Sequence, residues 1–110
     1  MISEKDLKLF FNKMDSIKYL VMRNYVGLLE DINTGGDIDL LIENVEEFIK
    51  CAEALPLNNR EKCYNYKVLI GDAWVPVDIR EVGDGYYDSR WENDMLSKRI
   101  MYKDGFYVMN

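Results

Sequence analysis

Two aspartates one residue apart are the residues of this chain best suited to chemistry. Asp37 and Asp39 stand at the head of a short apolar run that follows Gly35 and Gly36. Such a run after paired glycines predicts a buried strand entered from a loop. Because side chains alternate across a strand, both carboxylates face the same side and repel each other unless a proton, a basic group or a cation lies between them. Carboxylate oxygens suit hard divalent cations, so the pair is a candidate Mg²⁺ (or Mn²⁺) site.

The same residues allow two other interpretations. Both aspartates can end a strand in solvent or cap the helix that follows. The run from Asp31 also resembles the start of a helix–loop–helix calcium loop. That loop needs an oxygen ligand where this chain has Gly35 and a bidentate glutamate where it has Ile42, and a strand-like run follows in place of a helix. These mismatches count against calcium binding.

A third carboxylate, Asp78, lies on a later predicted strand. Residues 64–70 and 73–80 alternate in the manner of strands around a tight Gly-Asp turn, which predicts a β-hairpin. In its second arm, Asp78 and Arg80 share the face opposite to the apolar residues. If this arm lies beside the Asp37 strand, Asp78 joins the acidic pair.

Other patterns predict the elements that position these residues. Ser3 caps a helix from about Glu4 to Asp15, Asn44 caps a helix that ends before Pro56, and Asp88 caps a third helix. Further predicted elements are a strand at Tyr19–Met22, a loop or short helical turn at Val26–Thr34, and a terminal hairpin of Ile100–Tyr102 with Phe106–Val108. The fold class predicted is α/β (α+β): a short mixed β-sheet with helices packed on one side.

Composition limits the classes of function. A chain of 110 residues predicts a single domain, and 48% hydrophobic with 31% charged residues is ordinary for a soluble globular protein. The formal net charge of −6 argues against an extended nucleic-acid surface. A small anionic substrate held through a metal ion remains compatible with that charge.

The residue inventory excludes several mechanisms. The chain has no histidine, which removes Ser-His-Asp and Cys-His nucleophiles and histidine-containing zinc sites. The two cysteines, Cys51 and Cys63, are predicted to be free thiols. We find no signal peptide and no apolar stretch of membrane length, so we expect a cytoplasmic protein without a membrane partner.

These motifs resemble the polymerase-β-like nucleotidyltransferase superfamily. The residues that carry the resemblance are the run Gly35–Leu41, the helix after it, and Val77-Asp78-Ile79 on a later strand. The resemblance extends from about Tyr19 to Tyr107. More narrowly, Val21–Tyr25 leading to Gly36–Leu41 is similar to minimal nucleotidyltransferase-like proteins found near bacterial surface-polysaccharide genes.

The resemblance implies Mg²⁺-dependent transfer of a nucleoside monophosphate from a nucleoside triphosphate such as ATP to an acceptor hydroxyl. Asp37 and Asp39 would bridge the metal ions, and Asp78 would bind the ion nearer the acceptor and assist its deprotonation. The implied nucleotide-binding residues are Arg23, Asn24, Gly35, Gly36 and Arg80. Tyr86, Tyr87 and Trp91 are candidates to stack on a base or sugar, with core packing expected for Trp91.

One departure from the family pattern leaves two alternatives open. The usual Gly-Ser pair before the aspartates is missing, and Arg23-Asn24 or Gly27-Leu28 occupies that region. In the family this pair helps to hold the triphosphate. The chain can therefore be a catalytically inactive nucleotidyltransferase-fold module that binds a ligand or partner. It can also be a catalytic core that works only with a partner domain or subunit, since its end is apolar.

Overall fold

Short strands from along the whole chain form one mixed β-sheet, and helices connect several of them. The computed structural model describes residues 1–23, 25–57, 65–85 and 88–109. In this part of the chain the helices are α1 (Glu4–Asn12), α2 (Leu28–Asn33), α3 (Val45–Ala52) and α4 (Ser89–Ser97). The strands are β1 (Tyr19–Val21), β2 (Ile38–Ile42), β3 (Leu55–Pro56), β4 (Asn65–Ile70), β5 (Ala73–Glu81), β6 (Ile100–Met101) and β7 (Tyr107–Val108).

The sheet places β2 between β1 and β5. The strand order is β3-β4-β5-β2-β1-β7-β6. Strands β2 and β5 run parallel, as do β1 and β7, whereas the other neighbouring pairs are antiparallel. A parallel pair needs a long crossover, and here the segment from α3 through β4 supplies it. The two strands predicted to carry the aspartates are therefore neighbours.

The helices begin at residues that the sequence predicts as caps. The Ser3 hydroxyl accepts a hydrogen bond from the Asp6 N–H, and the Asp6 carboxylate accepts one from the Ser3 N–H. The Asn44 side chain accepts from the Glu47 N–H at 3.1 Å, and Asp88 caps α4 in the same way. These bonds satisfy N–H groups that have no partner within the helix.

One face of the sheet carries the main core. The buried side chains of α1, α2 and α3 pack there against alternate residues of the strands, including Ile38, Leu40 and Ile42 of β2. Phe11 lies at the centre of this core, with its ring 4.9 Å from that of Phe106 and 5.6 Å from that of Tyr19. The alternation along β2 follows from the two-residue period of a strand.

The prediction that all helices pack on one side of the sheet is wrong, because α4 lies on the other side. Leu41 of β2 points away from the main core and packs instead with Leu20, Met95 and Leu96. The last two residues belong to α4, so this helix covers part of the opposite face. An amphipathic helix can bury its apolar stripe on either face of a sheet, and its own sequence does not say which.

Some of the remaining sequence-based predictions are confirmed by the structure and others are not. The β4–β5 hairpin and the terminal β6–β7 hairpin are confirmed, and Val26–Thr34 contains the short helix α2. Cys51 is a half-buried free thiol, whereas Cys63 lies outside the described residues. The prediction that Trp91 packs in the core is wrong, because this residue is 48% exposed. Among the helices described, none combines the length and apolar content that crossing a bilayer requires.

Candidate functional site

The strongest candidate site is built on the parallel pairing of β2 with β5. In this register Asp39 lies directly opposite Asp78, and Leu41 lies opposite Arg80 two residues further along. Neighbouring strands lie about 4.8 Å apart, so the two carboxylates start from adjacent backbone positions. Both residues are half-buried. The pairing brings together two aspartates that are far apart in the sequence.

Four charged residues around Asp39 act on its carboxyl group. Burial raises the pKa of Asp39 above its usual value, and the negative charges of Asp37 and Asp78 raise it further. Arg23 and Arg80 oppose this effect and lower the pKa of the same carboxyl. The other four charged residues predicted for the site therefore each lie close enough to Asp39 to shift its pKa.

One arginine follows the end of β1 and the other lies on β5. The Met22 N–H donates to the Asp39 carbonyl oxygen at 2.8 Å. This bond holds the end of β1 beside Asp39, and Arg23 is the next residue in the chain. Arg80 follows Asp78 by two residues on β5 and therefore lies on the same face. Arg23 is exposed and Arg80 is half-buried. Because β1 and β5 flank β2, the two arginines start from opposite sides of the strand that carries Asp39.

The glycine pair shapes the entry to β2. Gly35 has a φ of +96°, a backbone conformation that favours glycine. The Gly36 N–H donates to the Asp31 carbonyl oxygen at 2.8 Å. A Cβ atom on Gly36 would collide with the Asp31 carboxylate and lie 2.8 Å from that same carbonyl oxygen. Both glycines therefore have a structural role, which is to let the loop turn tightly before Asp37.

The carboxylates lie on the sheet face that α4 covers only in part. Alternation along β2 places Asp39 on the same face as Leu41, which packs under α4. Beyond Leu41, the face continues through Asp39 to Asp37, which is exposed. The site is thus at the border between an apolar, helix-covered region and an open region of the sheet.

Two glutamates with structural roles near the site are not predicted from the sequence. Glu81, at the end of β5, accepts a hydrogen bond from the Val45 N–H at 2.8 Å and so joins β5 to the start of α3. Glu92 of α4 is completely buried, and its Oε1 accepts from the Gly83 N–H at 3.1 Å. Its Oε2 is buried without a hydrogen-bond partner in the described structure. Acidic residues at a strand end or in a first helical turn are common on surfaces, so sequence gives no signal for either role.

The carboxylates predicted to bind a metal ion do not form a ready-made site in the described part of the chain. Across the described ranges, no group of three or more aspartate, glutamate or cysteine side chains is arranged to hold a metal ion. The calcium-loop interpretation is wrong, because Ile42 is a fully buried strand residue and α2 is followed by β2. Asn24, Tyr86 and Tyr87, also predicted for the site, lie outside the described residues.

Pairing of Asp78 with Arg80 or Arg99 under a closed surface would favour a scaffold over an enzyme. The Arg99 guanidinium instead lies over the ring of Tyr107, 4.3 Å from its centroid, and donates to the Leu96 carbonyl oxygen at 2.9 Å. Tyr107 belongs to β7, on the far side of β1 and β2 from β5. Arg99 is therefore engaged elsewhere, and Asp78 stays on the half-buried surface next to Asp39.

Comparison with known proteins does not assign this chain to a family. The chain matches no protein-family model, no curated protein and no solved structure. What the site does must therefore be inferred from its own residues, which are Asp39 with two further aspartates and two arginines around it. They lie on a mixed α/β fold with four helices and a seven-stranded sheet in the described part of the chain.

Proposed function

We propose that the chain is a Mg²⁺-dependent nucleotidyltransferase that moves a nucleoside monophosphate from a nucleoside triphosphate to an acceptor hydroxyl. The observation that carries the proposal is the direct pairing of Asp39 with Asp78, with Asp37 close enough to raise the pKa of Asp39. Neighbouring carboxylates with this mutual repulsion are suited to a divalent cation. The family resemblance of the glycine–aspartate motif supports the same reaction.

The donor set fits Mg²⁺ or Mn²⁺, although the side chains are not already gathered around one point. Asp37, Asp39 and Asp78 would hold the cation, and the exposed side chain of Asp37 can rotate toward the other two. A bound divalent cation supplies charge neutralisation at phosphate oxygens. Such neutralisation matters here because the acidic cluster would otherwise repel a triphosphate.

The protein's own residues would then contribute positioning, charge and proton transfer. Arg23 and Arg80 would bind phosphate oxygens and stabilise the charge that develops on them. The acceptor oxygen forms a bond to the α-phosphorus, the bond from that phosphorus to the bridging oxygen breaks, and pyrophosphate leaves. Asp78 would take the proton from the acceptor hydroxyl, as a general base must lie within hydrogen-bond reach of it.

The test is calorimetric titration of the full chain with Mg²⁺ or Mn²⁺, with and without ATP and CTP. We expect nucleotide binding that requires the metal and is lost in Asp78→Ala and in the Asp37→Asn/Asp39→Asn double variant. Asp72→Asn is the matched control, because Asp72 is an exposed aspartate in the turn of the same hairpin as Asp78. Equal metal binding by the wild type and the double variant would contradict the site assignment.

A second candidate is a nucleotidyltransferase-fold module that binds a ligand or partner without turnover. The missing Gly-Ser pair and the ungathered carboxylates favour it. Release of pyrophosphate from ATP or CTP, measured with a panel of hydroxyl acceptors, separates the two candidates. Metal-dependent nucleotide binding without pyrophosphate release, even with a partner domain or subunit supplied, would favour the binding module.

A further inference from the structure

A lysine on the strand next to β5 lies on the same face of the sheet as Asp78. Lys67 belongs to β4, and its direct partner across the β4–β5 pair is Pro76. Val68, the next residue of β4, is buried in the main core, as is Val77 of β5. Alternation therefore places Lys67, Pro76 and Asp78 together on the opposite face. The face that carries the proposed catalytic carboxylates thus continues from β5 onto β4.

The register gives Lys67 two neighbours at the same separation along β5. Trp74 and Asp78 lie two residues before and two residues after Pro76, so both are diagonal neighbours of Lys67. Diagonal neighbours in an antiparallel pair are about 7–8 Å apart, which is within reach of a long side chain. The lysine stem is flexible, so the ammonium can extend toward either residue without movement of the backbone.

In the structure the Lys67 ammonium extends toward Trp74. It lies 5.0 Å from the centroid of a Trp74 ring, which is a cation–π contact. The indole is 49% exposed and Lys67 is half-buried, so the contact is open to water. Cation–π contacts at exposed sites are weak. A strongly anionic group bound near Asp78 can therefore draw the ammonium away from the indole.

The charges of the proposed site provide a reason for this movement. Its three aspartates and two arginines have a formal net charge of −1. A triphosphate adds more negative charge than one divalent cation offsets. Lysine is a common ligand of phosphate, because its compact ammonium carries a full charge and three hydrogen-bond donors. A lysine beside Asp78 on the same face is placed to reduce the remaining repulsion.

We propose that Lys67 is a phosphate-binding residue of the nucleotide site, and that its ammonium moves from Trp74 to the phosphates when the nucleotide binds. The inference rests on the proposed function, in which those phosphates lie beside Asp39 and Asp78. It adds β4 to a site whose other residues lie on or next to β1, β2 and β5. Trp74 is the resting position of the ammonium in the chain without nucleotide.

The first test measures phosphate affinity by calorimetry. Mg²⁺ with tripolyphosphate is the probe, because it has the phosphates without a base. We expect Lys67→Met to bind it about 10- to 100-fold more weakly than the wild type, as for the loss of a hydrogen bond to a charged group. Lys67→Arg keeps the charge and should recover much of the affinity. Thermal melts check that each variant is folded.

Lys50→Met is the matched control for this measurement. It removes the same charge from an exposed position on α3, a helix that packs on the main-core face of the sheet. A general effect of net charge would weaken binding equally in Lys50→Met and Lys67→Met. We expect Lys50→Met to bind the probe as the wild type does.

The second test follows the ammonium itself. The chain has two tryptophans, so Trp91→Phe leaves Trp74 as the single indole reporter, whose emission responds to the charge beside it. We expect Mg²⁺ with tripolyphosphate to change the Trp74 emission in Trp91→Phe, and to leave it unchanged when Lys67→Met is added. An emission that stays constant in both, or changes equally in both, would overturn the movement.

The outcomes separate this inference from the proposed function. If the wild type binds ATP with Mg²⁺, and Lys67→Met has the affinity of Lys50→Met, the assignment of Lys67 is overturned and the proposed function is left intact. If the wild type binds neither ATP nor tripolyphosphate with Mg²⁺, the proposed function fails and the assignment of Lys67 fails with it.

Discussion

Asp39 and Asp78 are direct partners across the parallel β2–β5 pair, and both are half-buried. Like charges placed opposite each other on adjacent strands destabilise a sheet. The arrangement is therefore a local cost to the fold, and such costs are concentrated at functional sites.

The first prediction concerns the pH dependence of stability. The pKa of Asp39 is raised above 3.8 in the folded state, first by burial and then by Asp37 and Asp78. Ionisation is thus less favourable in the folded chain than in the unfolded one, so it lowers the free energy of unfolding. The penalty is absent below pH 3.8, grows as pH rises through the folded pKa, and is complete above it.

Asp39→Asn removes this penalty. We expect the variant to be more stable than the wild type at pH 7, with a difference that shrinks as the pH is lowered toward 3.8. Urea denaturation across this range measures it, with Asp15→Asn as the control because Asp15 is exposed and outside the site. A difference that widens toward acid pH would contradict the sign.

The second prediction concerns the loop that presents Asp37. Gly36→Ala places a Cβ against the Asp31 carboxylate and carbonyl oxygen, so the loop must shift. We expect a loss of about 1–3 kcal/mol of stability, as for other overpacked sites, together with weaker Mg²⁺ binding by calorimetry. Gly83→Ala is the comparison: Gly83 has a positive φ but open space around its Cβ, so only stability should fall. Equal Mg²⁺ affinity in both variants would argue against a role of the Gly36 turn in the site.

The third prediction concerns the core behind the sheet. Phe11 is fully buried among other aromatic rings, including Phe106 and Tyr19. Phe11→Ala should cost about 3–5 kcal/mol, a large part of the stability of a small domain. Leu9→Ala on the same helix is the control, because Leu9 is 53% exposed and its loss should change stability by about 0.5 kcal/mol or less. Chemical denaturation of the two variants provides the comparison.

The fourth prediction concerns the start of α3, directly after the aspartate strand. Asn44→Ala removes the acceptor for the Glu47 N–H and should cost about 1 kcal/mol. Asn44→Asp keeps the acceptor and should retain wild-type stability. If Asn44→Ala has no effect in urea denaturation, the Glu81 carboxylate, which accepts from Val45 N–H, would be enough to hold this helix end.

The local features of this fold are readable from the sequence because they depend on neighbouring residues. Ser3, Asn44 and Asp88 cap helices as predicted, since a cap needs only its own side chain and the next turn. The β4–β5 hairpin follows from a tight Gly-Asp turn between two alternating runs. The pairing of Asp37 with Asp39 can likewise be predicted from the sequence, because only one residue separates them.

Tertiary structure decides how the distant parts meet. The pairing of Asp39 with Asp78 depends on β5 joining β2 in this register, and a shift by one residue would send one carboxylate to the other face. The sequence also leaves open which face α4 covers, because its apolar stripe fits either side of a sheet. On that helix the buried positions include Glu92 and Met95, which leaves Trp91 exposed. Residue type alone predicts burial for tryptophan, whereas helix orientation sets it.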